Sequence, residues 1–148
     1  MKKILIVEDN QVVANVYRNK LAVEGYQVEI AADGETGLKV MRTFKPDMIV
    51  LDPPSLVPAK KHLPKAIRLY AKLNAQAMKA LPRGGLLATA TCSHHVSRED
   101  FIKMLRDAQT KAQRSIRMIA LRGQSADHPV LLAMPETEYL HFALLEIL

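Results

Sequence analysis

The chain alternates short apolar runs with longer segments in which apolar residues recur every three or four positions. The runs "KILIV" (3–7), "QVEIAA" (27–32) and "PDMIVLD" (46–52) are typical of strands. The segments between them have helical spacing, the second of them reading "DGETGLKVMRTF" from Asp33. These strands are too apolar to leave one face in water. The pattern therefore predicts parallel strands covered by helices on both sides.

Polar residues and glycines mark where the helices should begin and end. Asp9 or Asn10 can cap the first helix, because their side-chain oxygens accept from free N–H groups of its first turn, and Gly25 should end it. Ser97, with Asp100 three residues later, resembles a capping box that opens a helix in the second half. The first helix is predicted from apolar residues that recur at helical spacing: Val12, Val13, Val16, Tyr17 and Leu21.

The second half continues the alternation as far as its last two strands. A long helix from about residue 64 precedes the strand "LLATAT", and a further helix leads to "SIRMIAL". No helix of useful length separates that strand from the final one, "YLHFALLEIL", so the final strand should run antiparallel to its neighbours. We predict one three-layer α/β/α domain over residues 1–148, with a doubly wound sheet of order 2-1-3-4-6-5 and strand 6 antiparallel.

Composition is consistent with one globular domain. A chain of 148 residues can bury a core without disulfide or metal staples. The lone Cys92 excludes an internal disulfide and suits a reducing cytosol. Apolar runs are too short for a membrane helix, and the opening "MKKILIVEDN" reads as a strand rather than a secretion signal. These features predict a cytoplasmic location.

Charge is unevenly distributed along the chain. Residues 1–52 carry seven basic and eight acidic side chains, a net −1, whereas residues 53–148 carry fourteen and seven, a net +7. A basic half indicates either weak, non-specific RNA binding or a solvated helix face. We expect no specific partner, no membrane association, and a monomer rather than an oligomer.

Three carboxylates are predicted to converge at one sheet edge. Glu8 and Asp9 follow the first strand and Asp52 ends the third, and in a doubly wound sheet these strand ends are adjacent. Their mutual repulsion would be relieved by a divalent cation that prefers oxygen ligands, such as Mg²⁺. The alternative is that Asp9 only caps a helix and Glu8 is a solvated neighbour.

The first 52 residues resemble a bacterial response-regulator receiver domain, which has a flavodoxin-like fold. The resemblance lies in the acid pair Glu8 and Asp9, the pattern "GY.V..A.DG..GL" and the ending "PD.I.LD". It implies that Asp52 is a phosphoacceptor and that Glu8 and Asp9 help to hold magnesium.

Beyond Asp52 the receiver pattern stops. The loop here reads "PPSLVPAKKHLP" instead of a short "MP..DG" loop. Thr89 or Thr91 could supply the hydroxyl expected after the fourth strand, but Arg122 stands where a lysine would follow the fifth.

Residues 47–148 resemble the carboxyl-terminal part of a bacterial large-subunit (23S) ribosomal RNA cytosine-5 methyltransferase, a Rossmann-like enzyme that uses S-adenosylmethionine. The stretches "DMIVLDPPS", "LPRGGLLATATCSHHVSREDF" and "DHPVLLAMPETEYLHFALLEIL" carry the resemblance. It implies that Asp52, Pro53 and Pro54 lie against the target base and that Cys92 attacks the pyrimidine ring. The alternative for Cys92 is a small buried residue at a strand end.

The parts that bind the cofactor in such enzymes are missing. "EDNQVV" has no glycine-rich turn after strand one, its carboxylates would repel the methionine carboxylate, and Asp33 imitates the ribose-binding acid poorly. We therefore expect an engineered chimera joined at Asp52, a designed flavodoxin-like/Rossmann-like hybrid of residues 1–52 and 53–148, with no enzymatic activity and no cofactor. The alternatives are weak Mg²⁺ binding at Glu8, Asp9 and Asp52, and residual S-adenosylmethionine-dependent RNA cytosine-5 methylation.

Overall fold

The fold is a mixed β-sheet flanked by helices, seen in a computed structural model that describes residues 1–54 and 59–148. The strands are β1 (Lys3–Glu8), β2 (Gln27–Ala31), β3 (Met48–Asp52), β4 (Leu86–Thr91), β5 (Ile116–Arg122) and β6 (His141–Ile147). The helices are α1 (Gln11–Val23), α2 (Gly34–Phe44), α3 (Leu63–Ala80) and α4 (Arg98–Ala112), with two short 3-10 turns at Lys60–His62 and Pro135–Thr137.

Helices begin at the polar residues that the sequence marks. The Asn10 side chain accepts from the backbone N–H groups of both Val12 and Val13, so Asn10, rather than Asp9, caps α1. The Asp33 carboxylate accepts from the Thr36 N–H at 2.7 Å and caps α2. Ser97 and Asp100 form the reciprocal capping box of α4. Gly25 has φ +90°, the left-handed conformation expected of a residue that ends a helix.

The strand order is β2-β1-β3-β4-β6-β5, as predicted. β1 pairs with β2 and β3 in parallel, and β3 pairs with β4 in parallel. β6 lies antiparallel between β4 and β5. The antiparallel direction follows from the connection, because the described segment between β5 and β6 contains only a 3-10 turn and no crossover helix.

The main core lies on one face of the sheet, beneath α2, α3 and α4. Alternate strand residues point into it, among them Leu5, Ile49 and Leu87, each fully buried. The helices contribute larger side chains, including Tyr70 and Phe101. This core joins residues from both halves of the chain, so the two halves are packed as one unit.

The opposite face carries α1 alone among the described residues. Ala14 is the buried residue of α1, whereas Val12 is 73% exposed and Val16 is 61% exposed. Tyr17 is also exposed, at 46%, so the apolar residues that recur at helical spacing along α1 do not all face the sheet. The physical reason is that no second helix stands beside α1 in the described chain to cover its flank.

The junction between the two halves lies in the sheet and between α2 and α3. β3 pairs with β1 on one side and β4 on the other, so the parallel ladder continues across Asp52. α3 packs in the main core and α1 lies on the other face of the sheet, so the contact between helices of the two halves is made by α2 and α3.

Among the described residues, no helix combines the length and apolar character needed to cross a membrane.

Candidate active site

The carboxyl ends of β1, β3 and β4 bring three reactive side chains to one sheet edge. Glu8 ends β1 and is the register partner of Asp52, which ends β3. Leu51 pairs with Thr89, so Asp52 lies beside Ala90, and the alternation along β4 carries Cys92 toward the same face as Asp52. Of the three carboxylates expected at this edge, Glu8 and Asp52 are thus adjacent.

Glu8 is a buried acid with an unusual proton affinity. Glu8 is only 6% exposed, and its Oε1 accepts from the Asn10 backbone N–H at 2.9 Å. Burial raises the pKa of Glu8 most, the Asn10 hydrogen bond opposes this, and hydrogen bonds to Asp52 and Asp9 with the charge of Asp52 add to it, so that the pKa rises from 4.5 to about 7. Protonation of Glu8 removes its charge and so relieves its repulsion with Asp52.

The arrangement of the three acids bears on the predicted magnesium site. The described residues contain no group of three or more His, Cys, Asp or Glu side chains arranged to hold a metal ion. Glu8 uses one oxygen to accept from the backbone of Asn10, and its neighbour Asp9 is exposed. The alternative interpretation of Glu8 as a solvated residue is also wrong, since Glu8 is buried.

Cys92 is a free, exposed cysteine directly after β4, so its interpretation as a small buried residue is wrong. Partial desolvation raises the pKa of the Cys92 thiol, and the negative charge of Asp52 raises it further. The thiol is therefore accessible but predominantly protonated near neutral pH. Deprotonation would be favoured by removing the carboxylate charge or by raising the pH.

The segment after Asp52 is fixed against α3. Pro53 is buried and Pro54 is exposed, and the Tyr70 hydroxyl donates to the Pro54 carbonyl oxygen at 3.3 Å. Residues 55–58, which belong to the loop that departs from the receiver pattern, lie outside the described residues. The described part of the Asp-Pro-Pro segment thus leads from the carboxyl edge toward the α3 side of the sheet.

The other receiver positions are not arranged around Asp52. Thr89 and Thr91 are both 1% exposed, and their alternation with Ala90 places them on the face opposite to Asp52. Arg122 ends β5, which is separated from β4 by β6. Neither predicted hydroxyl nor the arginine therefore faces the Asp52 carboxylate.

The β1 and β2 ends do not fit S-adenosylmethionine in the manner that the resemblance implies. Two N–H groups of the α1 first turn are already bonded to the Asn10 side chain, and the Asn10 N–H is bonded to Glu8. These are the donors that a ligand carboxylate would need. At the β2 end, Asp33 accepts from both the backbone and the hydroxyl of Thr36 instead of standing free for ribose hydroxyls.

Sequence reasoning missed His141 near this site. It begins β6, is the register partner of Thr91 and is 3% exposed. Its Nε2 lies 3.0 Å from the Val96 carbonyl oxygen, and its ring stacks on Phe101 with centroids 5.9 Å apart. His141 thus anchors the loop that follows Cys92. The signal available in the sequence was a histidine at the start of the mostly apolar strand β6.

Residues 4–53 match the family of the response regulator receiver domain. The chain is also similar to ribosomal RNA large subunit methyltransferase I: it is 34% identical to the Erwinia tasmaniensis protein over 145 residues, covering 94% of this chain and 37% of that protein. It is 37% identical to the protein of Escherichia coli O1:K1 over 131 residues, covering 85% and 32%. The chain thus spans about a third of the length of these relatives. The first alignment exceeds the expected residues 47–148, so the similarity extends into the first half.

Solved structures share the fold. A SAM-dependent methyltransferase from Streptococcus mutans superposes with a TM-score of 0.70 at 16% identity, over 98% of this chain and 44% of that one. NSun6 from Pyrococcus horikoshii, solved with SFG, gives a TM-score of 0.58 at 16% identity, over 98% and 47%.

These findings overturn one expectation. The prediction that the chain is no enzyme is wrong, because relatives 34% and 37% identical over most of it are named methyltransferases. The missing glycine-rich turn after strand one concerns only one part of the site and does not by itself exclude an enzyme. The chain combines a match to a response regulator receiver domain at residues 4–53 with similarity to ribosomal RNA large subunit methyltransferase I, as expected of a receiver/methyltransferase chimera.

Proposed function

We propose that the chain carries the nucleophile half of an RNA cytosine-5 methyltransferase site. One observation carries the proposal: the exposed Cys92 thiol follows β4 at the same sheet edge as Asp52 and the Asp-Pro-Pro segment. Similarity to ribosomal RNA large subunit methyltransferase I supports ribosomal RNA as the substrate class, and the resemblance of residues 47–148 to cytosine-5 methyltransferases implies cytosine as the base. The net +7 of residues 53–148 supports attraction of a polyanion, and the cytoplasm as location follows from such a substrate.

The chemistry begins with the Cys92 thiolate. Addition of its sulfur to C6 of cytosine forms an S–C6 bond and moves the C5–C6 π electrons toward C5 and the ring carbonyl, which makes C5 nucleophilic. Without a methyl donor, C5 takes a proton from solvent. Loss of the original C5 proton and elimination of the thiolate then restore cytosine, so the net change is exchange of the hydrogen at C5.

S-adenosylmethionine supplies the methyl group in enzymes of this class. Because the β1 and β2 ends do not fit that cofactor as described above, the proposed steps end at C5. Calorimetry with S-adenosylmethionine tests the fit directly. We expect a dissociation constant of about 1 mM or weaker; micromolar binding would show that other groups hold the cofactor.

We also propose that the chain arose by deliberate recombination at Asp52. Both resemblances place an aspartate at the end of an equivalent parallel strand. A joint there keeps the strand-helix packing of each half internally consistent, as a foldable sequence requires. The continuous ladder β1-β3-β4 across Asp52 and a core shared by both halves support this origin.

Hydrogen exchange at C5 tests the proposed function. A cytosine-containing RNA fragment of the large ribosomal subunit is incubated with the protein in D₂O, and deuterium at C5 is measured by mass spectrometry. We expect incorporation that rises with pH, because the thiolate fraction rises, and that is lost in Cys92→Ser. Asp107→Asn, an exposed carboxylate change on α4, is the matched control. Exchange no faster than with Cys92→Ser would refute the proposal.

A further inference from the structure

A trough runs across the sheet face that carries α1. A cavity of about 270 Å³ lies between α1 and the strands, and its apolar floor comes from alternate residues of four strands: Ile4, Ile6, Met48, Val50, Ala88, Ala90 and Phe142. Several of these side chains are only half-buried, although the sequence predicted a sheet covered on both faces. Among the described residues, α1 is the one helix on this face.

The apolar flank of α1 continues this surface. Tyr17, Lys20 and Leu21 form the helix wall of the trough. Val16 lies one turn before Lys20, and Val23 lies one turn after it, so both project from the same side of the helix. They are 61% and 84% exposed. The trough therefore has a neighbouring ridge of exposed apolar side chains, formed by Val12, Val16 and Val23.

The two ends of the trough have opposite charge. Its carboxyl end holds Glu8, Asp9 and Asp52, the acids described above. Its amino end opens into a second cavity, of about 320 Å³, which shares Ile4, Leu21 and Met48 with the first. The charged side chains at that end are those of Lys2 and Arg83 and of one acid, Asp47, which lies 3.8 Å from the Lys2 ammonium group. Lys3 also borders this cavity, but its ammonium group lies on the other face of the sheet, where it donates to the Phe44 carbonyl oxygen.

We infer that this face is the interface of a two-fold symmetric dimer, with a second copy of the chain as its occupant. Antiparallel apposition places the ridge of each copy in the trough of the other and the acidic end of each against the basic end of its partner. Such an interface is isologous and closes, so it predicts dimers and no larger assembly.

The available area is of the right order. α1, at 13 residues, is about 20 Å long and about 10 Å wide. The uncovered strands β3, β4 and β6 add a width of roughly 14 Å at ordinary strand spacing. The projected area of the face is then about 500 Å², and its accessible surface area is larger than this projection. A standard interface buries about 800 Å² of accessible surface per partner. We expected a monomer from the sequence, and the open apolar face points to a dimer instead.

Sedimentation equilibrium of the purified full chain, from about 1 to 300 µM, tests the dimer. We expect a monomer–dimer equilibrium whose affinity falls as salt rises, because the opposed ends are charged. Val16→Glu places a charge on the ridge and should weaken dimerisation at least about 10-fold. Leu69→Glu is the matched control: Leu69 is 41% exposed on α3, on the other side of the sheet, and its substitution should leave the affinity unchanged.

Circular dichroism of both variants establishes that each retains the fold. A monomer at every concentration would refute the inference and indicate that another protein or segment covers the face. Mass that grows beyond a dimer would refute the closed arrangement. Equal weakening by the two substitutions would place the contact elsewhere, and an affinity independent of salt would refute the antiparallel orientation.

Discussion

Glu8 and Asp52 stand side by side as register partners at the carboxyl ends of β1 and β3. One comes from the segment before the first helix and the other stands at the junction of the two halves of the chain. Their carboxyl groups interact, and burial with this neighbour raises the pKa of Glu8 to about 7. The pair thus links protonation to folding, and its charge also acts on Cys92. Two of the predictions below follow from it.

Replacing Glu8 should change how stability depends on pH. The folded pKa of about 7 exceeds the ordinary 4.5, so the folded chain keeps a proton that the unfolded chain releases. The contribution of Glu8 to the free energy of unfolding should therefore be highest below pH 4.5. It should fall as the pH rises from 4.5 to about 7, by at most about 3 kcal/mol. Glu8→Gln should remove most of this slope and be the more stable form at pH 8.

Urea unfolding at several pH values measures the effect. Glu35→Gln, an exposed change in the first turn of α2, is the control and should retain the slope of the parent chain. An unchanged slope in Glu8→Gln would show that Glu8 does not hold the proton.

Replacing Asp52 by asparagine should make Cys92 more reactive. The negative charge of Asp52 is the second cause that raises the pKa of the Cys92 thiol, after desolvation. The neutral amide removes that cause, so the thiolate fraction at pH 7.5 should increase, with the pKa still raised by desolvation. The rate of reaction with a disulfide reagent, followed across pH, measures this. Asp107→Asn on α4 should leave the rate unchanged, and an equal rate in Asp52→Asn would contradict the electrostatic coupling.

The two halves should unfold together. Leu5 in β1 and Leu87 in β4 are fully buried in the same core. Leu5→Ala and Leu87→Ala should each lower the free energy of unfolding by about 2–5 kcal/mol and shift one common transition. Far-ultraviolet dichroism and tyrosine fluorescence, recorded on the same samples, should give coincident curves. Two transitions, with Leu5→Ala moving only one of them, would indicate separate units.

Removing the α4 cap should have a smaller, local cost. The Ser97 hydroxyl accepts from the Asp100 N–H at 3.0 Å, and the Asp100 carboxylate accepts from the Ser97 N–H. Ser97→Ala should lower stability by about 1 kcal/mol. Thermal unfolding followed by dichroism measures this, and Ser115→Ala, an exposed change before β5, is the matched control. Equal melting temperatures for the parent and Ser97→Ala would refute the contribution of the cap.

The sequence by itself determined the local structure and its order. Asn10, Asp33 and Ser97 cap helices because each cap needs only a polar side chain within three residues of a free N–H. Strand order and the antiparallel direction of β6 also followed, because the missing crossover helix is visible in the chain. The positions of Glu8 and Asp52 at strand ends likewise predicted that these two carboxylates would reach one edge.

Only the tertiary structure decided what surrounds those residues. Ala14 is buried and Val16 is exposed, although both are apolar residues of α1. Burial depends on whether another element covers that flank of the helix, and the spacing of apolar residues along one helix does not predict this. The raised pKa of Glu8 likewise arises from burial and from Asp52, a neighbour 44 residues away in sequence. A local hydrogen bond depends on residues a few positions apart. The desolvation of a side chain and the coverage of a helix or sheet face depend on many residues from distant parts of the chain. For that reason the caps were predictable, and the open face and the Glu8 proton were not.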